Sequence, residues 1–91
     1  MNEIARHVVF KGTVQGVGFR FTSRNIAGRH NLAGMARNLP DGTVEMVVQG
    51  QEKAVGECIR DIREYFSGYI TDTIIENIPL DSKYHDFRIS F

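Results

Sequence analysis

The chain has 91 residues, enough to bury one hydrophobic core without disulfides or metals, and we expect residues 1–91 to form a single domain. Lysine and arginine number 11, as do the acidic residues, and this neutrality argues against a broad surface for nucleic acids or anionic membranes. Cys58 is the one cysteine, so no intrachain disulfide can form and a cytoplasmic location is expected. The sequence contains no bilayer-length apolar run and no apolar signal core at its start, so neither a membrane span nor secretion is expected.

The first predicted element is a β-strand from Ala5 to Val14, in which alternating positions face opposite sides of a half-buried strand. A glycine-containing turn follows, and a helix is predicted from about Phe19 to His30. Asn31 tolerates the left-handed conformation and is suited to end this helix. The residues on the thin apolar side of the helix are Phe19, Ser23, Ile26 and Ala27.

A β-hairpin is predicted next, with strands at Ala33–Asn38 and Thr43–Gln49. The turn between them is Pro40-Asp41-Gly42. Proline fixes its own φ, aspartate hydrogen-bonds the backbone that follows it, and glycine accepts the conformation that leaves the turn.

The rest of the chain is predicted to contain an amphipathic helix from Gln51 to about Ser67, a strand at Thr71–Ile78 and a loop from Pro79 to His85. The apolar stripe of this helix comprises Val55, Cys58, Ile59, Ile62, Tyr65, Phe66 and Tyr69. The inward positions of a last strand are Phe87, Ile89 and Phe91. This β-α-β-β-α-β order with an extra C-terminal strand predicts an α+β, ferredoxin-like fold, with two helices on one face of an antiparallel sheet.

The segment from Gly12 to Arg20 has the features of a phosphate-binding loop. It reads Gly-Thr-Val-Gln-Gly-Val-Gly-Phe-Arg, so a strand leads into a turn and then into a helix. Gly16 and Gly18 permit positive φ, consecutive N–H groups in such a turn converge on an anion, and the helix N-terminus adds positive partial charge. Arg20 supplies a permanent charge and a planar set of donors that fits a phosphoryl group.

Two segments together resemble the signatures of the acylphosphatase family, and the length of the family covers the whole chain. In the first segment, the matching residues are Gly12, Val14, Gln15, Gly16, Val17, Phe19 and Arg20. In the second segment, they are Gly34, Asn38, Gly42, Val44 and Gly50. The chain departs from the usual pattern at Phe10, Asn31 and Met35, and none of these positions carries a group that the reaction needs.

The resemblance implies hydrolysis of acyl phosphates to a carboxylate and inorganic phosphate, without metal or cofactor. The expected phosphate-binding residues are Gln15, Gly16, Val17, Gly18, Phe19 and Arg20. Asn38 is expected to orient the attacking water, because its carbonyl can accept a proton from the water while its N–H donates to a phosphoryl oxygen. The expected partners are a small acyl phosphate and inorganic phosphate, which is both product and competing ligand, and the protein is expected to be a monomer.

Other chemically active side chains are assigned structural roles. His7, His30 and His85 share no metal-ligand spacing with one another or with Cys58, so no metal site is expected. Cys58 lies on the apolar side of the predicted second helix, which favours a place in the core over a role as nucleophile.

Three alternative functions are compatible with the sequence. RNA-recognition domains share this order of elements, and residues 16–21 resemble part of their aromatic motif, but that motif belongs on the third strand. A catalytically silent domain that binds a small anion would use the same loop. A module of a larger carbamoyl-transferring protein is disfavoured because no further domain follows Phe91. Little in the sequence indicates a pocket for the acyl part, so broad tolerance of acyl groups is expected.

Overall fold

The computed structural model describes residues 2–91, which form five strands and two helices. The strands are β1 (Glu3–Gly12), β2 (Ala33–Asn38), β3 (Val44–Gln51), β4 (Ile70–Ile78) and β5 (Phe87–Ser90). The helices are α1 (Phe19–Arg29) and α2 (Glu52–Tyr65). Neither helix has the length and apolar character needed to cross a membrane.

The strands form one sheet in the order β4-β1-β3-β2-β5. β1 pairs antiparallel with β3 and β4, and β2 pairs antiparallel with β3. β5 pairs with β2 in the parallel sense, with Gly34 opposite Phe87. The connection from β4 crosses the sheet at the end where β2 begins, so β5 runs in the same direction as β2. The predicted ferredoxin-like fold with an extra strand is confirmed, and this strand makes the sheet mixed.

The hydrophobic core lies between the helices and one face of the sheet. Alternate positions of β1 and β3 point toward the helices and are fully buried; they are Val8, Phe10, Val44, Met46 and Val48. The buried residues that the helices contribute include Ser23, Ile26 and Ala27 from α1 and Val55, Cys58, Ile59 and Ile62 from α2. The apolar sides predicted for the two helices are confirmed at these positions.

Three phenylalanine rings join the sheet and both helices within this core. The ring centroid of Phe19 lies 4.9 Å from that of Phe10 in β1 and 4.4 Å from that of Phe66, directly after α2. Phe19 is the first residue of α1 and is 2% exposed. Loss of such a ring from a packed core costs about 3–5 kcal/mol, so its packing fixes the position at which α1 begins.

Some predicted boundaries and burial assignments differ from the structure. β1 ends at Gly12, two residues before the predicted end, although Val14 is still buried. Tyr65, the last residue of α2, is 66% exposed, and Tyr69, which lies beyond the helix, is 46% exposed. The buried part of the predicted stripe therefore consists of Val55, Cys58, Ile59, Ile62 and Phe66. Phe91 lies outside β5 and is 96% exposed, so the inward alternation predicted for the last strand ends before it.

The sheet face opposite the helices carries a charged cluster centred on Glu45 of β3. His7 Nε2 in β1 lies 2.8 Å from Glu45 Oε2, and Arg37 Nη2 in β2 donates to Glu45 Oε1 at 2.6 Å. The hydrogen bond with His7 is the main cause that holds the pKa of Glu45 below its ordinary value; Arg37 acts in the same direction, whereas burial opposes both. The Glu45 carboxylate thus links three adjacent strands, and the Glu45 side chain is 17% exposed.

We expect Glu45→Gln to destabilise the protein by about 1 kcal/mol near neutral pH and to have little effect in acid. Because its pKa is lowered by folding, ionised Glu45 stabilises the fold above its ordinary pKa of 4.5, and this contribution disappears as the pH falls through the lowered value. Urea unfolding of both proteins between about pH 7 and pH 3 measures the difference. Glu64→Gln, at an exposed carboxylate of α2, is the control. A loss of stability that does not depend on pH would contradict the prediction.

Candidate active site

The strand register brings the ends of β1 and β2 to the same end of the sheet. Val44 in β3 pairs with Phe10 on one side and with Asn38 on the other. β1 and β2 are both antiparallel to β3, so they run in the same direction. The loop that follows β1 therefore lies beside Asn38, the last residue of β2.

The loop between β1 and α1 contains two glycines in the left-handed backbone conformation. The φ angle is 78° at Gly16 and 75° at Gly18, values that residues with a side chain rarely adopt. Gly18 is the N-cap of α1, and the first turn of this helix contains no acidic residue. The positive end of the helix dipole is therefore not neutralised by a carboxylate of its own first turn.

Backbone amides at the start of α1 lack acceptors within the described chain. Over residues 2–91, the amides of residues 16–21 find no backbone acceptor, whereas Thr22 N–H donates to the Gly18 carbonyl at 3.0 Å. Gly18 also provides no side-chain cap. Such amides are normally satisfied by water, by caps or by a ligand, and at a helix N-terminus they favour an anion. This segment has the donors of an anion-binding loop.

The side chain of Gln15 attaches this loop to the turn of the β2–β3 hairpin. Its Nε2 donates to the Leu39 carbonyl at 2.8 Å and to the Thr43 carbonyl at 2.9 Å. Leu39 directly follows Asn38, and its own amide donates to the Thr43 carbonyl at 2.9 Å. Both amide protons of Gln15 are engaged, so its side chain positions the loop relative to Asn38 and offers no donor to a phosphate.

The guanidinium of Arg20 is oriented by the last strand. Its Nη1 donates to the Ser90 carbonyl at 3.2 Å, and its central carbon lies 4.9 Å from the centroid of the Phe91 ring. An arginine has five N–H donors, so one hydrogen bond and one ring contact leave most of them available. The position of Arg20 thus depends on β5 as well as on α1.

A pocket of about 270 Å³ lies between the loop, the start of α1, the end of β2 and the end of the chain. Its lining consists of Val14, Gly16, Gly18, Phe19, Arg20, Phe21, Asn38, Ile89 and Phe91. Five of the predicted site residues are brought together here, namely Gly16, Gly18, Phe19, Arg20 and Asn38. Gln15 and Val17 lie outside the lining, and Val17 packs against the core. The half-buried Asn38 side chain makes no hydrogen bond with any residue from 2 to 91, so its amide is available to a ligand.

Four apolar residues of the pocket are not among the site residues predicted from the sequence, namely Val14, Phe21, Ile89 and Phe91. Phe21 directly follows Arg20, and this adjacency is the only local signal for it. Ile89 and Phe91 reach the pocket because β5 pairs with β2, a contact between segments far apart in the chain. The sequence pattern of β5 predicts a strand but not its neighbour in the sheet.

Titratable groups outside the pocket have structural surroundings. Burial, and to a smaller extent Asp61, raises the pKa of the Cys58 thiol to about 12, so its predicted place in the core is confirmed. His30 Nε2 lies 3.0 Å from Asp61 Oδ2 and joins the end of α1 to α2. That hydrogen bond is the main cause that lowers the pKa of Asp61. Within the described residues, no three histidine, cysteine or acidic side chains cluster as metal ligands would.

These features define a small α+β protein with a glycine-containing loop whose free amides lie at a helix N-terminus, and with an amide side chain beside it. The acylphosphatase family model matches residues 6–89. The acylphosphatase of Chlorobaculum tepidum is 42% identical over 90 residues, which are 98% of each chain. The chain belongs to the acylphosphatase family, and its reaction is the hydrolysis of acyl phosphates.

Solved structures agree with this assignment. The crystal structure of acylphosphatase from Bacillus subtilis matches with a TM-score of 0.89 at 30% identity, covering 97% of this chain and 99% of that one. Full-length HypF, crystallised in a phosphate- and nucleotide-bound form, matches with a TM-score of 0.88 at 33% identity. The match covers 99% of this chain and 12% of HypF. The same fold therefore occurs as a whole small protein and as part of a longer chain.

We expect Gln15→Ala to reduce kcat for an acyl phosphate by about tenfold, because a loop displaced from Asn38 no longer aligns the reacting groups. Loss of two hydrogen bonds should also destabilise the fold by about 1–2 kcal/mol. Gln49→Ala is a matched control, since Gln49 also makes two hydrogen bonds to backbone, at Asp81, away from the pocket. Steady-state kinetics and thermal unfolding of both variants measure the two effects. Equal loss of activity in both variants would show that Gln15 has no specific role.

Proposed function

We propose that the pocket holds the phosphoryl group of an acyl phosphate against the backbone amides of residues 16–20 and the Arg20 guanidinium, while Asn38 orients the attacking water. The observation that carries this proposal is that amides without acceptors, an arginine and an unbonded asparagine side chain border one small pocket. The Gln15 side chain contributes by attaching the loop to the hairpin, and the Val17 side chain packs against the core while its amide belongs to the loop donors.

The phosphoryl group is a dianion with three oxygens, and the loop offers it fixed donors. Its oxygens would serve as the acceptors that the amides at the start of α1 lack. Arg20 can add two parallel hydrogen bonds on the side of the guanidinium that Ser90 leaves free. Donors held in place before the reaction stabilise the charge of the transition state, and each is typically worth about 10²–10³ in rate.

Asn38 is assigned to the water because its amide has both an acceptor and a donor. The carbonyl oxygen accepts a proton of the water in a hydrogen bond, and the N–H group donates to a phosphoryl oxygen. Aspartate at this position would place a negative charge against the dianion. The neutral amide keeps the geometry without this repulsion.

The proton of the water is assigned to a phosphoryl oxygen. The described residues that line the pocket include no histidine, lysine, cysteine or acidic side chain. The water oxygen forms a bond to phosphorus, the bond between phosphorus and the acyl oxygen breaks, and its electron pair leaves with the carboxylate. A carboxylate is a good leaving group, so neither a general acid nor a metal ion or cofactor is required in this proposal.

We further propose that residues 1–91 act as one domain and as a cytoplasmic monomer. The buried free thiol of Cys58 is compatible with a reducing compartment. Inorganic phosphate, as the product, should compete for the same loop.

We expect Arg20→Ala to lower turnover of benzoyl phosphate by at least about a hundredfold and to weaken inhibition by inorganic phosphate, because the same guanidinium binds the phosphoryl group of the substrate and free phosphate. Asn38→Ala should cause a similar loss of turnover with phosphate inhibition nearly unchanged. The assay follows the loss of ultraviolet absorbance of benzoyl phosphate in the presence of EDTA. Arg63→Ala, at an exposed arginine of α2, is the control for a general loss of positive charge. Normal turnover by Asn38→Ala would exclude Asn38 as the residue that orients the water, and loss of wild-type activity in EDTA would contradict the metal-free reaction.

The rate should be nearly independent of pH between about pH 5 and pH 8, because no side chain that titrates in this range lines the pocket. A profile of kcat against pH for the wild-type protein measures this. A steep rise through about pH 6.5 would instead indicate a histidine base and would contradict the assignment of the proton.

A further inference from the structure

Exposed aromatic rings border the candidate active site. Phe21 is 56% exposed and Phe91 is 96% exposed, and both line the pocket. Ile89, another lining residue, is half-buried. Apolar surface of this kind next to a few convergent polar groups is typical of a place where a ligand packs.

The ring of Phe21 is held in place by Arg24. The central carbon of the Arg24 guanidinium lies 4.7 Å from the centroid of the Phe21 ring. The two residues are three positions apart in α1, so they are neighbours on the same helix surface. The arginine lies over the ring in a cation–π contact, and Phe21 is still 56% exposed, so part of its apolar surface is accessible to a ligand.

An acyl phosphate has a charged phosphoryl end and an acyl end, and the lining of the pocket likewise has a polar part and an apolar part. Its polar part consists of the loop amides, Arg20 and Asn38, which the proposed function assigns to the phosphoryl group and the water. Val14 and Phe19 are almost fully buried and form the base. The accessible remainder is apolar and consists of Phe21, Ile89 and Phe91.

We infer that Phe21 is a specificity-determining residue that packs against the acyl group. The favoured substrates are acyl phosphates whose acyl group is aromatic or an extended apolar chain. The inference rests on the proposed function, because it takes the phosphoryl group to lie against the loop. It narrows the broad acyl tolerance expected from the sequence.

The size of the acyl group determines how much of the ring it can cover. A benzoyl group can stack on Phe21 or meet its edge, and such aromatic contacts change affinity by about three- to tenfold. An acetyl group presents one methyl group and covers little of the ring. A polar acyl group such as carbamoyl would lose hydration against an apolar surface that offers it no hydrogen bond.

The test compares kcat/KM for benzoyl phosphate and acetyl phosphate in the wild-type protein, Phe21→Ala, Phe21→Leu and Tyr65→Ala. We expect Phe21→Ala to lower the benzoyl-to-acetyl ratio of kcat/KM by about three- to tenfold, with acetyl phosphate changed less than about twofold. Phe21→Leu should recover part of the ratio because it keeps apolar bulk. Tyr65→Ala removes an exposed aromatic ring from α2 and should leave the ratio unchanged.

Inhibition by inorganic phosphate separates a contact with the acyl group from damage to the loop. Phosphate has no acyl group, so its inhibition constant should be the same in Phe21→Ala and the wild-type protein. An equal fall of kcat/KM for both substrates, or an unchanged ratio, would overturn the inference while leaving the proposed function intact. If the wild-type protein hydrolysed neither substrate, the proposed function would fail and the inference with it.

Discussion

The burial of Phe19 between Phe10 and Phe66 is the contact on which the candidate site depends. Gly18, with its left-handed backbone, precedes this ring, and Arg20 follows it, so the position of both is set by a side chain locked in the core. On the other side of the loop, Gln15 is attached to the hairpin that carries the amide side chain. The loop is therefore held at both ends before any ligand arrives. Because these donors are already ordered, binding has a low entropic cost. In the proposed function, their electrostatic field points at the phosphoryl group.

The described groups whose pKa is clearly shifted all lie outside the lining of the candidate pocket. Strongly shifted pKa values often mark active sites, but here the groups with shifted values serve the structure. Burial in the core raises the pKa of Cys58, and hydrogen bonds lower the pKa of three carboxyl groups. Those of Glu45 and Asp61 have histidine partners, and that of Asp41 has Thr43 as its partner in the hairpin turn. This distribution agrees with the proposed mechanism, in which the leaving group is a carboxylate and the protein holds charge with fixed dipoles and one arginine. A search guided by shifted pKa values alone would select none of the residues to which that mechanism assigns a role.

Local patterns made much of the fold and part of the site predictable from the sequence. The order of elements follows from apolar periodicity, and the loop follows from glycines that precede a helix and an arginine. Contacts between distant segments were not predictable. The parallel pairing of β5 with β2 brings the Ser90 carbonyl to Arg20, and no local sequence pattern predicts this pairing. The sequence predicted that Gln15 lies in the loop, but it did not predict whether its side-chain amide donates to a ligand or to a backbone carbonyl. In the structure it donates to two backbone carbonyls. Apolar spacing also predicted Tyr65 and Tyr69 to be buried. Periodicity alone does not reveal that α2 ends before Tyr69, nor that Tyr65, in the last turn of the helix, is mostly exposed.

The hydrogen bond from Arg20 to the Ser90 carbonyl couples the pocket to the last strand of the sheet. The pocket joins three segments: residues 14–21, residue 38 and residues 89–91. β5 is the last strand of the chain, and it pairs with a strand about fifty residues before it, a long-range closure of the kind that forms slowly. A partly folded chain that has assembled β1, α1, β2 and β3 contains the glycine loop and Asn38 but has no strand to orient the arginine. In the proposed site, the orientation of the Arg20 guanidinium therefore depends on the docking of the last strand.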